Sequence, residues 1–446
     1  MARRPLQLGA QSGEAASPVV SVERLVNGYL EQTPQGRSPT PIYGTPGLAP
    51  FSTTGAIRAM LEVKERLFIV TTHLCEVFAD GTVTMLGAIP AGVVDMAGDG
   101  VNVVMTVATE IWRWNATDGV VKVTDPDAPA ASSVEWMNGF FVFTEAGTEQ
   151  FFVSPQGNPG GDWDALDFDS SDVVPDALVR TRRVGRTMLM MGRQSVEFWY
   201  YSGDSVFPFN RYADDPLDVG LAGVRAEAST NETLFWLAND GTARRLDGRT
   251  ATRVSTFAVE DKIAKWADKS LTVVTSHVWQ GHLFVVFRNP DGCVVWDQAT
   301  SLWHDRQSYG QDTWQVSHYA FAFGKHLFGG ANLFEHAGYD EDGEPLPFEM
   351  ITPWLDNQGE RFSVNEVEVR LEAGVGSLTL DPKISLSRTE DGEEWSAPLY
   401  RSFGKQGERQ RRVLFSRQGM SRGCAFKMRI TDPVKRVIYA AYAEVD

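Results

Sequence analysis

Seven apolar strands recur along the chain at a spacing that leaves few folds open. They read Arg66-Leu-Phe-Ile-Val70, Asn102-Val-Val-Met-Thr106, Phe140-Phe-Val-Phe-Thr144, Met188-Leu-Met-Met-Gly192, Leu234-Phe-Trp-Leu-Ala238, Leu283-Phe-Val-Val-Phe287 and His326-Leu-Phe-Gly-Gly330, with midpoints 36 to 49 residues apart. Each is followed by a short turn and an aromatic-bearing strand that runs into an Asp/Gly turn. A period of about 40 to 50 residues filled with short strands is the mark of β-propeller blades, not of helical solenoids. A blade buries its faces only against its neighbours, so such an array must close on itself. The seventh unit is the shortest, and propellers commonly complete a blade with strands from both chain ends, so six or seven blades both fit.

The chain has 446 residues, more than one hydrophobic core usually serves, and a second module is expected. The repeat rhythm breaks at the acidic turn Glu341-Asp-Gly-Glu344. Beyond it, alternation in Val364-Asn-Glu-Val-Glu-Val-Arg-Leu371 and Lys383-Ile-Ser-Leu-Ser387, with strands at 413–415, 426–430 and 437–439, predicts a β-sandwich. The expected layout is a flexible tail over 1–18, an N-terminal segment over 19–50 that packs on the C-terminal β module, a β-propeller over 51–340 and the sandwich over 341–446. The fold class is all-β. One connector helix is expected where Val259, Ile263 and Trp266 share a helical face.

Composition excludes several function classes. Net charge is −17, which disfavours a nucleic-acid clamp, because phosphate binding needs Lys/Arg neutralisation. No stretch approaches the roughly 18 apolar residues of a membrane span, and Met1-Ala-Arg-Arg4 leads into polar residues rather than a signal sequence. Cys75, Cys293 and Cys424 are far apart and odd in number, as expected for reduced core thiols.

Candidate chemistry is sparse. No HExxH, GxGxxG, GxxxxGK[ST] or GxSxG spacing occurs. The histidines His73, His277, His282, His304, His318, His326 and His336 are read as structural, with His318 and His326 the pair to check as metal ligands. Asp162, Asp164, Asp167, Asp169 and Asp172 are read as a solvated loop before a catalytic one. Arg388-Thr-Glu-Asp-Gly-Glu-Glu-Trp395-Ser resembles the Asp-box hairpin of sialidase-type propellers, matching it only at Gly392 and Trp395 with Glu390 at the Asp position. Its role is that of a turn. No catalytic or metal residue and no cofactor is assigned, and the chain is expected not to be an enzyme. One local imbalance stands out: Arg401 to Arg436 holds eleven Lys/Arg against Glu408 and Asp432. It is either a solvated face or a partner-docking surface, for which Arg401, Lys405, Arg409, Arg411, Arg412, Arg417, Arg422, Lys427, Lys435 and Arg436 are the candidates.

Several stretches carry a family resemblance. Arg24-Leu-Val-Asn27-Gly-Tyr29, Tyr43-Gly-Thr-Pro-Gly-Leu48, Trp163-Asp-Ala-Leu-Asp-Phe168, Ala320-Phe-Ala-Phe-Gly-Lys-His-Leu327 and Ile430-Thr-Asp-Pro-Val-Lys-Arg-Val437 resemble the packaged-DNA stabilisation proteins of short-tailed bacteriophages, collinearly over 20–446. The resemblance implies a structural virion protein of the phage tail, made in the host cytoplasm. In that family the protein is a tail hub or nozzle, a homo-oligomeric and typically hexameric ring below the portal-adaptor protein. Such a ring closes the head, stabilises packaged DNA, forms part of the ejection channel and meets tail fibre, spike or needle proteins. Double-stranded DNA would pass without sequence-specific contact. The competing reading is a carbohydrate-binding or depolymerising propeller of a phage tail, with Trp163 and Trp395 near its acidic residues.

Overall fold

The computed structural model describes residues 2–213, 215–230 and 232–446. Seven four-stranded antiparallel blades form the propeller, five as separate sheets and two as parts of larger sheets, which decides between the six- and seven-blade readings. The first six blades span Ala59–Ala88, Val94–Lys122, Ala131–Ser170, Leu178–Arg211, Glu227–Arg253 and Val273–Asp305. Every one of the seven apolar strands read from the sequence lies on the second strand of a blade, one out from the axis. Blade seven takes three strands from His318–His336 and its fourth from the N-terminal strand Leu48–Ser52, which pairs antiparallel to Leu333–His336.

Two-residue hairpins set this geometry. Between the first and second strands, Lys64-Glu65, Asn138-Gly139, Gln280-Gly281 and Phe323-Gly324 all have positive φ at both central positions. Such mirror-image turns match the right-handed twist of the strands they join. The first strand of each blade lines the axis and touches the first strands of both neighbours, with blade seven meeting blade one to close the ring.

Between blades the aromatics do the packing. Phe68 meets Trp114 across blades one and two at 5.2 Å between centroids, Phe151 meets Trp199 across three and four at 4.8 Å, and Phe235 meets Trp296 across five and six at 5.7 Å. At the closing interface Leu67, Ile69 and Cys75 of blade one pack on Leu327 and Leu333 of blade seven. All three cysteines are buried as free thiols. The helix Phe257–Ala264, capped by Thr256, seats Val259 and Ile263 in the core between blades four, five and six.

The second domain is a two-sheet β-sandwich with its own core, built around Val367, Ile384, Phe415, Phe426 and Ile438. One sheet contains Gly28–Leu30, Ile42–Gly44, Val437–Val445, Phe362–Leu371 and Val413–Ser421. The other contains Arg24–Val26, Phe348–Ile351, Gly423–Ile430, Lys383–Thr389 and Leu399–Ser402, and it continues through Arg24–Val26 into the outer strand of blade six.

Two expectations about the layout change. The segment read as a flexible tail is structured: Ala2–Leu6 pairs antiparallel with Val437–Val445, Leu6 is buried, and Ser12 donates its backbone N–H to Trp303. A five-residue polar strand with a proline gives no periodic signal, and its partner lies over 430 residues away. The boundary at 341 also moves. Asp340–Glu341 and Glu344–Pro345 form a small hairpin on the blade-seven sheet, because the buried Glu341 accepts the Trp314 indole N–H at 2.9 Å.

Closure through Leu48–Ser52 predicts that Leu48→Ala, at a fully buried site, costs about 2–5 kcal/mol. The exposed Met85→Ala should stay within about 0.5 kcal/mol. Urea denaturation of both variants measures the difference.

Candidate docking surface and propeller axis

Of the ten candidate docking residues, eight are exposed: Arg401, Lys405, Arg409, Arg411, Arg412, Arg417, Arg422 and Lys435. Arg401 and Arg417 lie on two sheet-edge strands, and Lys405, Arg409, Arg411 and Arg412 lie on the loop 403–412 that joins them. Among the described residues, the strand Leu399–Ser402 pairs only with Lys383–Thr389, and Val413–Ser421 only with Phe362–Leu371. Arg401 donates Nε to the Leu414 carbonyl at 2.9 Å and stands over the Phe415 ring, so it spans both edges. Exposed Leu399, Tyr400 and Met420 lie among these cations. Arginine interleaved with exposed aromatic and methionine side chains is the composition of interface anchors. Charge on an edge strand also blocks unwanted strand pairing.

Not all of these cations are free. Arg412 joins Arg3 and Arg370 around the Glu368 carboxylate, which their charge holds below the usual carboxylate range against the opposing effect of burial. Lys435 pairs with Glu372 at 2.8 Å. Lys427 is half-buried with its ammonium 4.2 Å from the Trp395 ring centre.

Arg436 does not belong to a docking surface. It is 2% exposed, its Nη1 donates to the Leu346 carbonyl and its Nη2 to that of Thr45. Burial pushes its pKa down to about 10, with nearby Arg306 acting in the same sense. Sequence spacing places it in the basic run, whereas the fold uses it to tie the N-terminal segment to the hinge between the domains.

The remaining candidates are structural in their contacts. Asp391, not Glu390, organises the hairpin before Trp395: its Oδ1 accepts the N–H groups of Glu393 and Glu394, both at 2.9 Å. Glu390 instead pairs with Arg388 at 2.9 Å. Trp395 packs against Val22, Ile351 and Ala425. Asp164 caps its own turn by accepting the Leu166 N–H, and Trp163 is buried against Phe143. His318 and His326 are not brought to a common site: His318 faces Arg225 at the axis, while His326 accepts or donates to the Tyr319 hydroxyl at 2.9 Å. Among the described residues no three His, Cys, Asp or Glu side chains are grouped to hold a metal.

What the sequence did not reveal is the propeller axis. The first strands of blades two to five aim charged side chains at it, and these form a continuous ion-pair network. Arg180 contacts Asp95 at 2.8 Å and Glu227 at 2.7 Å, and Arg182 contacts Glu135 at 3.3 Å and Glu227 at 3.4 Å. Arg180 also donates Nη1 to the Val224 carbonyl, and Asp95 accepts the Val134 N–H. Direct contacts of this length seal the axis. The major groove of a DNA duplex alone is about 12 Å wide, so no duplex passes through the propeller itself. Arg180 and Arg182 alternate on the blade-four strand, but the other three strands contribute one charge each, and partners such as Asp95 and Arg180 are 85 positions apart, so no local pattern announces them.

Fold and site together define a structural protein: a closed seven-bladed propeller with a sealed axis, fused to a β-sandwich with basic edges. The family model described as bacteriophage P22 Gp10, beta-propeller, matches residues 5–334, and that described as bacteriophage P22 Gp10, beta-sandwich, matches 347–446. The chain belongs to this family of phage virion proteins that stabilise packaged DNA. No curated protein matches it in sequence. Similar solved structures include the computationally designed Ika8 protein, at 14% identity over 65% of this chain and 99% of that one, with a TM-score of 0.39. A chain of a nidogen/laminin complex gives 15% identity, 54% and 91% coverage and a TM-score of 0.36. BamB from Moraxella catarrhalis gives 8%, 62% and 92%, and 0.36. The assignment rests on the family matches alone.

The buried histidines generate a pH prediction. Burial holds His304 at about 4 and His318 at about 3, and His277 and His336 well below their ordinary value. Their folded pKa values lie below the unfolded 6.5, so the unfolded chain binds more protons and stability is lost as pH falls from about 6.5 towards 4. His282 acts oppositely, because its hydrogen bond to Asp297 raises its pKa and its contribution is lost as pH rises. Replacing His318 with Gln should flatten the stability-versus-pH slope by about 0.7 kcal/mol per unit at pH 6.5, rising to about 1.4 near pH 5. Denaturant titrations at each pH read this directly, and an unchanged slope would contradict it.

Proposed function

We propose that the chain is one subunit of a ring at the head-to-tail junction of a phage particle, forming the nozzle through which the genome is held and released. The observation that carries this reading, beyond family membership, is the division of charge between the domains. Residues 347–446 contain fifteen Lys/Arg and fifteen Asp/Glu, whereas residues 1–346 contain 26 Lys/Arg and 43 Asp/Glu. The propeller is acidic and the sandwich is neutral with basic edges. Acidic walls repel phosphates, so a duplex beside the propellers is guided without being gripped.

Because the propeller axis is sealed, the conduit in this reading is the space enclosed by several copies. The basic edges of the sandwich then serve contacts within the ring or with the portal-adaptor protein. The outer propeller surface remains for tail fibre, spike or needle proteins. Retention of pressurised DNA is mechanical in this scheme, because an acidic wall supplies no affinity.

Particles made with the gene inactivated provide the first test. Heads that package and then leak DNA, with tails truncated below the portal, support the nozzle. Full heads that fail only in adsorption or capsule digestion would replace it with a glycan-directed propeller. The docking surface has its own test: the triple reversal Arg409→Glu, Arg411→Glu, Arg412→Glu should reduce incorporation into particles at least tenfold while the isolated chain remains folded. Normal incorporation would remove these residues from the interface.

A further inference from the structure

At the centre of the propeller lies a cavity of about 180 Å³. That is room for a small polar ligand together with waters, since one water needs only about 10–15 Å³ on this measure. Four arginines line it, Arg58, Arg180, Arg182 and Arg225, together with the carboxylates of Asp95 and Glu227. Arg180 and Arg182 spend their charge on Asp95, Glu135 and Glu227 through the ion pairs described above.

Arg225 has no such counter-charge among the described residues. Its Nη1 faces His318 Nε2 and its Nη2 donates to the Arg58 carbonyl at 2.6 Å, while its buried Nε has no acceptor. His318 brings no charge: burial, reinforced by Arg225 itself, keeps the imidazole neutral. Its Nε2 lies within reach of both Arg225 Nη1, at 2.8 Å, and the Arg58 carbonyl, at 2.9 Å, so the neutral ring either accepts from Arg225 or donates to that carbonyl, and in neither case supplies a negative charge. Arg58 does not help either, because it is a second cation and donates only to the carbonyls of Thr71, Pro90 and Gly92. Desolvation already lowers the pKa of Arg225, with Asp95 opposing and Arg180 and Arg58 adding to the effect.

A desolvated cation whose every partner is neutral is costly unless an anion joins it. A guanidinium with an unused N–H presents the planar fork that suits an oxyanion. We propose that the axial cavity binds a small oxyanion of the phosphate or carboxylate class, held principally by Arg225. The ligand sits in a cavity lined by blades one, two, four, five, six and seven, so its binding tightens the closed ring. This site is separate from the basic edges of the sandwich and does not depend on the nozzle reading.

The full-length protein is titrated with sodium phosphate, and separately with sodium acetate, at fixed ionic strength and pH 7.5. The thermal midpoint from tryptophan fluorescence and the ³¹P line width of phosphate are read. A saturable rise in midpoint with one of the two anions is expected for the native chain, with an apparent affinity at least tenfold weaker in Arg225→Met. Arg225→Lys, which keeps the charge and loses the fork, should fall between them. If Arg225→Met fails to fold, the native titration and Arg225→Lys decide. Absence of a saturable effect of either anion on the native chain, or equal effects on native and variants, overturns the proposal.

Discussion

Ring closure by the N-terminal strand is the constraint on which the whole structure depends. A four-stranded blade exposes two faces and two edges, and only a complete circle buries the faces. Here the last blade is one strand short until Leu48–Ser52 arrives beside Leu333–His336. The same stretch of chain has just passed through both sheets of the sandwich, as Arg24–Val26, Gly28–Leu30 and Ile42–Gly44. Closing the propeller and assembling the second domain are therefore one event, linked by about thirty residues.

That coupling explains the density of polar contacts at the junction. Asn27 takes a left-handed backbone, φ 54°, and is fully buried. Its amide donates to the carbonyls of Gln307 and Pro347 and accepts the Gln307 N–H, joining blade six to the first strand of the sandwich proper. Asp305 beside it receives Arg24 at 2.7 Å and Lys262 at 2.8 Å, which hold its carboxyl below the usual range although burial opposes them. Buried polar groups of this kind contribute little net stability relative to apolar packing but penalise every misaligned arrangement. They fix the angle at which the sandwich meets the ring.

The sequence made legible whatever repeats locally. Apolar runs such as Phe140–Thr144 carry a signal within a few residues, and the seven-fold recurrence multiplies it. Strand Ala2–Leu6 was hidden because Ala-Arg-Arg-Pro-Leu becomes a strand only through a partner at the far end of the chain. Arg436 was misread for a related reason: in sequence it sits among exposed cations, and nothing local shows that Thr45 and Leu346 will enclose it. The axial network of Asp95, Glu135, Arg180 and Glu227 is the extreme case, since four blades each contribute charges that acquire meaning only when the circle closes.

The sealed axis and the charge division act together. A propeller whose centre is held by buried ion pairs is a rigid block, since moving any one blade outward would strand an arginine or a carboxylate without its partner in a poorly hydrated space. In the proposed ring, a subunit bordering a pressurised duplex needs that rigidity and a surface that does not adhere to phosphate. The acidic propeller supplies both, and the candidate docking cations are on a different domain, on two edge strands and the loop joining them. Separating the repelling surface from the adhesive one lets each be tuned by substitution without disturbing the other, because the polar hinge at Asn27, Asp305 and Arg436 keeps their relative placement fixed.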